Sequence, residues 1–245
     1  MNKPKRGRQW EDGFSISIEK NIDLADNKDN ISATDKTYSE LKRMILYDIL
    51  APGIWLRQDI LTRQLGVSRT PVREALRALN REGLIEIIPN YGAKVSDLSM
   101  DEFEEIYAIR KGIEGLATRR SVIKLSFEKL KIFRNMYESL VPMADNKNLT
   151  QYLKDEWHFR YWLYEVACSE RFLAQIKALR ERAERYLRYA YTFEHSIIDS
   201  LEFHHELLIA CENGNPHRAE KIVQKALNWT IETAGPIIAN RLQNS

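Results

Sequence analysis

Apolar residues recur at helical spacing along most of the chain, and the most regular example lies between Gly66 and Gly83. Its apolar positions follow the i, i+3, i+4, i+7 pattern of a helix with one buried face: Val72, Ala75, Leu76 and Leu79. Gly66 is suited to end the preceding helix, because glycine adopts the left-handed C-terminal conformation without steric cost. Ser68 or Thr70 is suited to cap the next helix, and Pro71 fits its first turn. The pattern therefore predicts two helices joined by a short turn.

A row of arginines runs along another side of the second predicted helix. Its members lie four residues apart and fall within a sector of about 120°: Arg69, Arg73, Arg77 and Arg81. Glu74 and Glu82 are the acidic residues available to neutralise them. The row is either a solvated surface or a face that binds the major groove of DNA. A helix-turn-helix with arginines on its second helix favours DNA binding.

The preceding segment predicts one further helix and the extent of the helix that Gly66 ends. From Lys36, apolar positions form one helical face: Tyr38, Leu41, Ile45 and Ile49. Pro52 and Gly53 are predicted to end this helix. A second helix is predicted near residues 57–65, so that three helices precede Gly83.

A β-hairpin is predicted after these helices. Residues 84–88 are β-rich, residues 89–92 have turn composition, and residues 93–95 form the return strand. At the tip of this wing, Gly92 allows close approach of the backbone and Lys94 is suited to bind phosphate. Three helices and a hairpin make a winged helix-turn-helix, which we assign to residues 36–98.

The rest of the chain divides into a polar tail and a helical region. Residues 1–35 begin with a small basic cluster, and we expect a disordered tail, since they bury too little apolar surface to offset the entropy of ordering. Residues 101–242 show helical periodicity with breaks that define about six helices. Their first helix places Ile109 or Arg110 on its apolar face. The predicted fold class is mainly α, with a winged helix-turn-helix followed by an all-α bundle.

Composition narrows the setting of the protein. The chain has 245 residues and a net charge of only +2, so affinity for nucleic acid must come from local patches. Cys168 and Cys211 have no metal-binding spacing and suit a reducing compartment. No apolar run approaches the length of a membrane span, so we expect a cytoplasmic protein without a membrane partner.

Residues 66–76 resemble the core signature of the GntR family of bacterial transcription regulators. This resemblance implies that double-stranded operator DNA is contacted by residues at three places: Ser68, Arg69, Thr70 and Arg73 in the helix-turn-helix, Arg57 in the loop before it, and Gly92 in the wing. Arg69 and Arg73 lie nearest the helix N-terminus and are candidates to bind guanine edges in a bidentate manner. Arg77 and Arg81 are predicted to bind phosphate or to stay solvated.

Residues 106–114 resemble the opening of the FCD effector domain of the FadR branch of that family, with its Arg and Glu four residues apart at Arg110 and Glu114. Many such domains hold a divalent metal through an Asp and a His at i, i+4 and a His on each of two later helices. The corresponding positions here are Glu156, Arg160, His204 and Ala226. A guanidinium repels a cation, so we predict that the metal site is degraded and that no metal cofactor is bound.

The arginine in this position suggests a different ligand. Arg160 is suited to bind the carboxylate of a small organic or sugar acid directly, with Arg110 as a second cation, Glu156 beside it and His204 as a polar contact. The alternative is an internal Glu156–Arg160 ion pair that only stabilises the helix. Aromatic residues surround the same helix at all angles and belong to the core, a dimer contact or a pocket wall: Trp157, Phe159, Tyr161, Trp162 and Tyr164.

The sequence therefore predicts a ligand-responsive regulator, a repressor of a metabolic operon, that binds a palindromic operator as a homodimer and is not an enzyme. Two alternatives remain open. The helical region only dimerises, or it is an enzyme that uses Glu156, Arg160 and His204 as an acid–base site.

Overall fold

The computed structural model describes residues 32–89, 91–145, 148–192 and 195–243. Residues 1–31 of the predicted tail, which include its basic cluster, lie outside the described residues. The described chain forms two compact units, and the division falls between Asp97 and Leu98. Each unit is built around a hydrophobic core of its own.

The first unit contains three helices and a small antiparallel sheet. In chain order, its elements are α1 (Ala33–Leu46), β1 (Trp55–Leu56), α2 (Gln58–Leu65), α3 (Arg69–Arg81), β2 (Ile85–Ile88) and β3 (Gly92–Val95). Strand β3 lies between β1 and β2, and Ile87 of β2 is opposite Ala93 of β3. This is the predicted winged helix-turn-helix, with β1 as an additional strand that the sequence pattern did not predict.

The predicted stripe of α3 forms the centre of this unit. Val72, Ala75 and Leu79 are fully buried, and they pack with Leu41 and Leu61 from the other two helices. Gly66 ends α2 with the expected left-handed backbone, at φ 65°. The apolar face of α3 is thereby held in the core, and its arginine-bearing face is left in solvent.

The bounds of α1 differ from the prediction at both ends. The helix begins at Ala33 rather than Lys36, because the Ser32 hydroxyl accepts a hydrogen bond from the backbone N–H of Asp35. It ends at Leu46, well before Pro52, and the chain turns through a positive φ of 59° at Asp48. The prediction that Ile49 is buried was therefore wrong, and Leu50 is fully buried instead.

The second unit is a helical bundle. Its elements are α4 (Met100–Val122), α5 (Phe127–Leu140), a 3-10 helix (Val141–Asp145), α6 (Leu149–Glu165), α7 (Glu170–Ala190), α8 (Ser196–Glu212) and α9 (Pro216–Gln243). Six α-helices within the described residues agree with the predicted number. Side chains of Ser99, Ser126, Asn148 and Ser169 accept capping hydrogen bonds at the N-termini of α4, α5, α6 and α7. Each cap satisfies a backbone N–H in the first turn of its helix and so favours the start of the helix at that residue.

The first bundle helix resolves an ambiguity of the sequence. Ile109 is exposed, whereas Arg110 is buried, so the arginine and not the isoleucine occupies the inner face of α4. Within the described part of the chain, no helix is long and apolar enough to span a membrane.

Candidate nucleic-acid interface and buried charge cluster

The arginine row of α3 lies on the exposed surface of the first unit. Arg73 and Arg77 have 54% and 60% of their side chains exposed, and both approach Glu74, at 3.6 and 3.1 Å. Glu82 does not face the row, because it accepts a hydrogen bond from Tyr38 and forms an ion pair with Lys42 of α1 at 2.8 Å. One carboxylate rather than two therefore neutralises the arginines, and the surface keeps a surplus of positive charge.

The N-terminus of α3 is open to an anion. Ser68 is the N-cap residue, but its hydroxyl makes no capping hydrogen bond, and no acidic residue lies in the first turn. Arg69 and Thr70 are exposed beside it. Because the first N–H groups of a helix carry partial positive charge, this end is suited to bind a DNA phosphate.

The remaining predicted DNA contacts differ in how available they are. Arg57 is exposed at the start of α2, where it pairs with Asp59 at 3.2 Å. Gly92 has a φ of 120°, a conformation that favours glycine. Lys94 pairs with Asp97 at 2.8 Å, so its ammonium must leave a carboxylate to reach a phosphate. Tyr91 is exposed at the wing and was missed, since the turn pattern drew attention to glycine instead.

A side-chain hydrogen bond connects the wing to α3, the arginine-bearing helix. The side-chain oxygen of Asn80, in the last turn of α3, accepts the backbone N–H of Ile87 in β2 at 3.0 Å. Strand β2 is an edge strand of the sheet, so this N–H has no partner strand on its outer side. Asn80 therefore fixes the wing relative to the arginine row.

In the second unit, the four predicted effector-binding residues lie together in a buried cluster of charges. The Arg160 Nε atom donates to Glu156 Oε2 at 3.0 Å, and its Nη1 atom donates to Glu114 at 3.4 Å. The Arg110 Nε atom donates to the other oxygen of Glu114 at 2.6 Å. His204 Nε2 lies 3.6 Å from Glu156. All of these side chains are less than a tenth exposed.

Two further members of the cluster were not predicted from the sequence. Arg180 of α7 approaches Glu156 at 3.7 Å, and the Tyr164 hydroxyl donates to Glu114 at 2.9 Å. Arg180 lies at helical spacing between the apolar residues Ile176 and Ala183. A charged residue within an apolar stripe was the available signal that this arginine is buried.

Electrostatics define the charge of the cluster. Burial raises the pKa of Glu156, but the charges of Arg160 and Arg180 outweigh burial and hold this pKa well below its usual range. The pKa of Glu114 is lowered in the same way, mainly by Arg110 and Arg160 against burial. Burial lowers the pKa of His204, so the imidazole is neutral at neutral pH. Among the residues that the structure describes, three guanidinium groups of the cluster face two carboxylates, so the cluster carries one positive charge in excess.

Several donors of the cluster lack an acceptor within the described residues. Both terminal nitrogens of Arg110 and the Nε atom of Arg180 are buried without a hydrogen-bond partner. Arg110 lines a cavity of about 20 Å³ together with Glu156, Arg160, His204 and Ala226. The cavity has room for about one water molecule. The four positions matched to the metal-binding pattern therefore surround one small space.

These residues do not fit a divalent metal. Glu156 is already engaged by two arginines, Arg160 brings a positive charge to the site, and Ala226 has no donor atom. Within the described part of the chain, no group of three His, Cys, Asp or Glu residues is arranged to hold a metal ion. The cluster is instead a cationic site formed by arginines.

The fold and the exposed arginine face define a transcription regulator of the winged helix-turn-helix class. Comparison with known protein families identifies the family within this class. The family model described as bacterial regulatory proteins of the gntR family matches residues 33–95, and the model of the FCD domain matches residues 105–228. The chain belongs to the GntR family and carries an FCD domain.

Relatives agree with this assignment. The transcriptional regulator YdhC of Bacillus subtilis strain 168 is 24% identical over 212 residues, which cover 84% of this chain and 93% of YdhC. The transcriptional repressor RspR of Escherichia coli K12 is 28% identical over 159 residues, 64% of this chain and 68% of RspR. The family and both relatives bear the names of transcription regulators, which places the chain among regulators rather than enzymes.

A solved structure shares the fold. McbR/YncC of E. coli matches with a TM-score of 0.69 at 24% identity, over 86% of this chain and 99% of that chain.

Proposed function

We propose that this regulator is a repressor of a metabolic operon, binds a palindromic operator as a homodimer, and is released by a small organic or sugar acid. The binding of an acidic ligand is supported by the environment of the Arg110 guanidinium. It is 1% exposed, it lines the cavity, and its two terminal nitrogens have no partner among the described residues. A buried charge that is incompletely paired costs several kcal/mol, so an anion that completes the pairing is bound favourably.

A carboxylate suits the shape of this group. The two terminal nitrogens of a guanidinium donate two parallel hydrogen bonds to the two oxygens of one carboxylate. One bound carboxylate also supplies the single negative charge that the cluster lacks. The free acid therefore fits both the donors and the charge of the site.

The hydrogen bonds favour a different division of roles from the one expected from the sequence. Arg160, the first candidate for capturing the acid, is occupied by Glu156 and Glu114. We assign the carboxylate to Arg110 and give Arg160 the role of positioning the two glutamates. Because the donors do not suit a metal, we propose that the acid binds without one.

A second copy of the chain has an apolar surface available on the bundle. Helices α4, α6 and α7 carry half-buried side chains around a small satellite core: Ile113, Trp157, Tyr161 and Phe172. We propose that this face forms the homodimer. Two recognition helices related by a two-fold axis then bind two half-sites about 34 Å apart, or a multiple of it, which requires a palindromic operator. The name of the relative RspR supports repression over activation.

The acid must open its own site, because a cavity of about 20 Å³ is too small for a metabolite. We propose that binding selects a more open arrangement of the bundle in which the operator is bound less tightly. Such a population shift requires only that the acid prefer one of the two arrangements.

A thermal-shift screen of organic and sugar acids against the metal-free protein tests this proposal. We expect at least one acid to raise the melting temperature of the wild type, since a ligand that binds only the native state stabilises it. Arg110→Met abolishes that shift, whereas Arg171→Met, an exposed arginine on α7, keeps it. A shift that survives in Arg110→Met, or a stoichiometric metal in the purified protein, contradicts the proposed site.

The closed cavity also favours a second candidate function, in which the bundle dimerises and binds no ligand. In that case the charge cluster only determines how the helices pack. Melting curves that no acid moves, together with a dimer in solution, would favour this function.

A further inference from the structure

Helices α5 and α6 leave a half-open groove between them, separate from the buried cavity. Each helix contributes a stripe of three residues at spacings of four and three: Ile132, Met136 and Ser139 on α5, and Asp155, Phe159 and Trp162 on α6. The groove encloses about 310 Å³, which is within the range of small-molecule sites.

The floor of the groove is aromatic and rigid. Phe159 is fully buried and stacks on Phe133, with ring centroids 4.2 Å apart and an interplanar angle of 9°. Trp162 also stacks on Phe133, with ring centroids 5.9 Å apart. A flat apolar group of a ligand would therefore be covered without rearrangement of the core.

The polar groups at the rim include hydrogen-bond acceptors that suit a cation. Asp155 is the carboxylate that lines the groove, and Gln151 donates to one of its oxygens, Oδ2, at 2.8 Å. Its other oxygen has no partner among the described residues. The Ser139 hydroxyl, a further acceptor, and the imidazole of His158 lie on the same rim.

We propose that this groove binds a small organic amine with a flat apolar body. The ammonium group carries three N–H donors and one positive charge, which suit the Asp155 carboxylate and the Ser139 hydroxyl. The apolar body packs against Met136 and Trp162, the half-buried apolar residues of the groove. A carboxylic acid is disfavoured here because Asp155 repels it, so this ligand class is opposite in charge to that of the buried cluster.

The groove is adjacent to the buried cluster but shares no polar group with it. Phe159 is the common element, since its ring also contacts the ring of His204 at a centroid distance of 5.2 Å. The proposed amine site can therefore be tested separately from the proposed acid site.

Calorimetric titration of the full-length protein with tryptamine, phenethylamine and hexylamine at pH 7.5 tests the proposal. We expect one molecule of the aromatic amines to bind per chain. The affinity for tryptamine falls at least tenfold in Asp155→Asn, which keeps the shape of the side chain and an acceptor for Gln151. Met136→Trp fills the groove and abolishes binding. Glu165→Gln, an exposed acid on the same helix outside the groove, is the matched control and leaves the affinity unchanged.

Two uncharged or anionic analogues complete the test. The neutral 3-methylindole and the anion indole-3-propionate are expected to bind at least tenfold more weakly than tryptamine. The proposal is overturned if none of the three amines binds. It is also overturned if tryptamine binds the wild type and Asp155→Asn with equal affinity, or if the wild type binds indole-3-propionate as tightly as tryptamine. The melting curves of the variants, measured in parallel, verify that each one is folded.

Discussion

The two units of this regulator use arginine in opposite environments. On α3, Arg73 and Arg77 are more than half exposed and share a single carboxylate. In the bundle, Arg110 and Arg160 are less than a tenth exposed and are held by Glu114 and Glu156. An exposed arginine costs little to place and is free to meet a partner from solvent, whereas a buried arginine is tolerated only with counterions. Replacing the first kind should change function alone, and replacing the second should change stability as well.

The largest effect is expected from replacing Arg160. In Arg160→Met, Glu156 keeps only the longer contacts with Arg180 and His204, so we expect the bundle to lose about 3–5 kcal/mol of unfolding free energy. In Arg110→Met, Glu114 keeps Arg160 and Tyr164, and two positive charges then balance two negative ones. This variant should lose less than Arg160→Met.

Urea denaturation measures both losses, with tryptophan fluorescence as the probe because three tryptophans lie in the bundle: Trp157, Trp162 and Trp229. Arg171→Met serves as the exposed control and should be unchanged. If Arg110→Met proved as destabilising as Arg160→Met, the interpretation of Arg110 as the less completely hydrogen-bonded arginine would be wrong.

Replacing the exposed arginines of α3 should change DNA binding without changing stability, in contrast to replacing the buried ones. We expect Arg69→Ala and Arg73→Ala to lower specific affinity by about 1–3 kcal/mol each, or about 5- to 150-fold, with an unchanged melting temperature. Arg77→Ala should instead weaken binding to all sequences and reduce the slope of log K against log salt by about 1. Fluorescence anisotropy with a duplex selected from a random pool measures both effects. Unchanged sequence preference in both Arg69→Ala and Arg73→Ala would refute the assignment of base contacts.

A pH dependence should arise from the bundle. Burial lowers the pKa of His204, so the unfolded chain binds more protons than the folded one below about pH 6.5. Stability should therefore fall as the pH falls from 6.5 to 5, by at most about 1.4 kcal/mol per pH unit. Glu114 and Glu156, with lowered pKa values, lose their contribution only at lower pH, below about 4.3.

Unfolding free energies measured between pH 7.5 and 5 test this assignment. His204→Gln should flatten the dependence, whereas His158→Gln, an exposed control, should not. An equal slope in wild type and His204→Gln would mean that other groups carry it.

The smallest effect is expected at the wing. Asn80→Ala removes the acceptor of the Ile87 N–H and should weaken operator binding by about 1 kcal/mol or less, with loss of protection at the nucleotides under the wing. Asn80→Asp keeps an acceptor at this position and should restore the protection pattern. Hydroxyl-radical footprinting distinguishes the two variants. Identical footprints for Asn80→Ala and wild type would contradict the role of Asn80 in positioning the wing.

Local features of the sequence predicted the first unit and the number of bundle helices. The stripe of α3, the glycine at position 66 and the serine caps are all set by residues within a few positions of one another. The misses depend on contacts distant in sequence. Strand β1 has only two residues and exists because Trp55 and Leu56 pair with β3. The early end of α1 follows from the turn at Asp48.

The candidate site was predicted in membership but not in roles. The resemblance to the FCD domain selected Glu156, Arg160 and His204, together with Arg110, and the i, i+4 spacing places Glu156 and Arg160 on one face of α6. Which guanidinium is saturated depends on distances between α4 and α6, which no periodicity reveals. Arg180 was missed because an isolated arginine is ordinarily read as a solvated one.

The most direct test of the account is operator affinity with and without the acid that gives the largest thermal shift. We predict that a saturating concentration of this acid lowers the affinity of the wild type for its selected duplex at least tenfold. Arg110→Met should bind the duplex as tightly as the acid-free wild type and ignore the acid. Release of Arg110→Met by the acid, or a wild type that no stabilising acid releases, would contradict the claim that a buried surplus arginine senses the ligand.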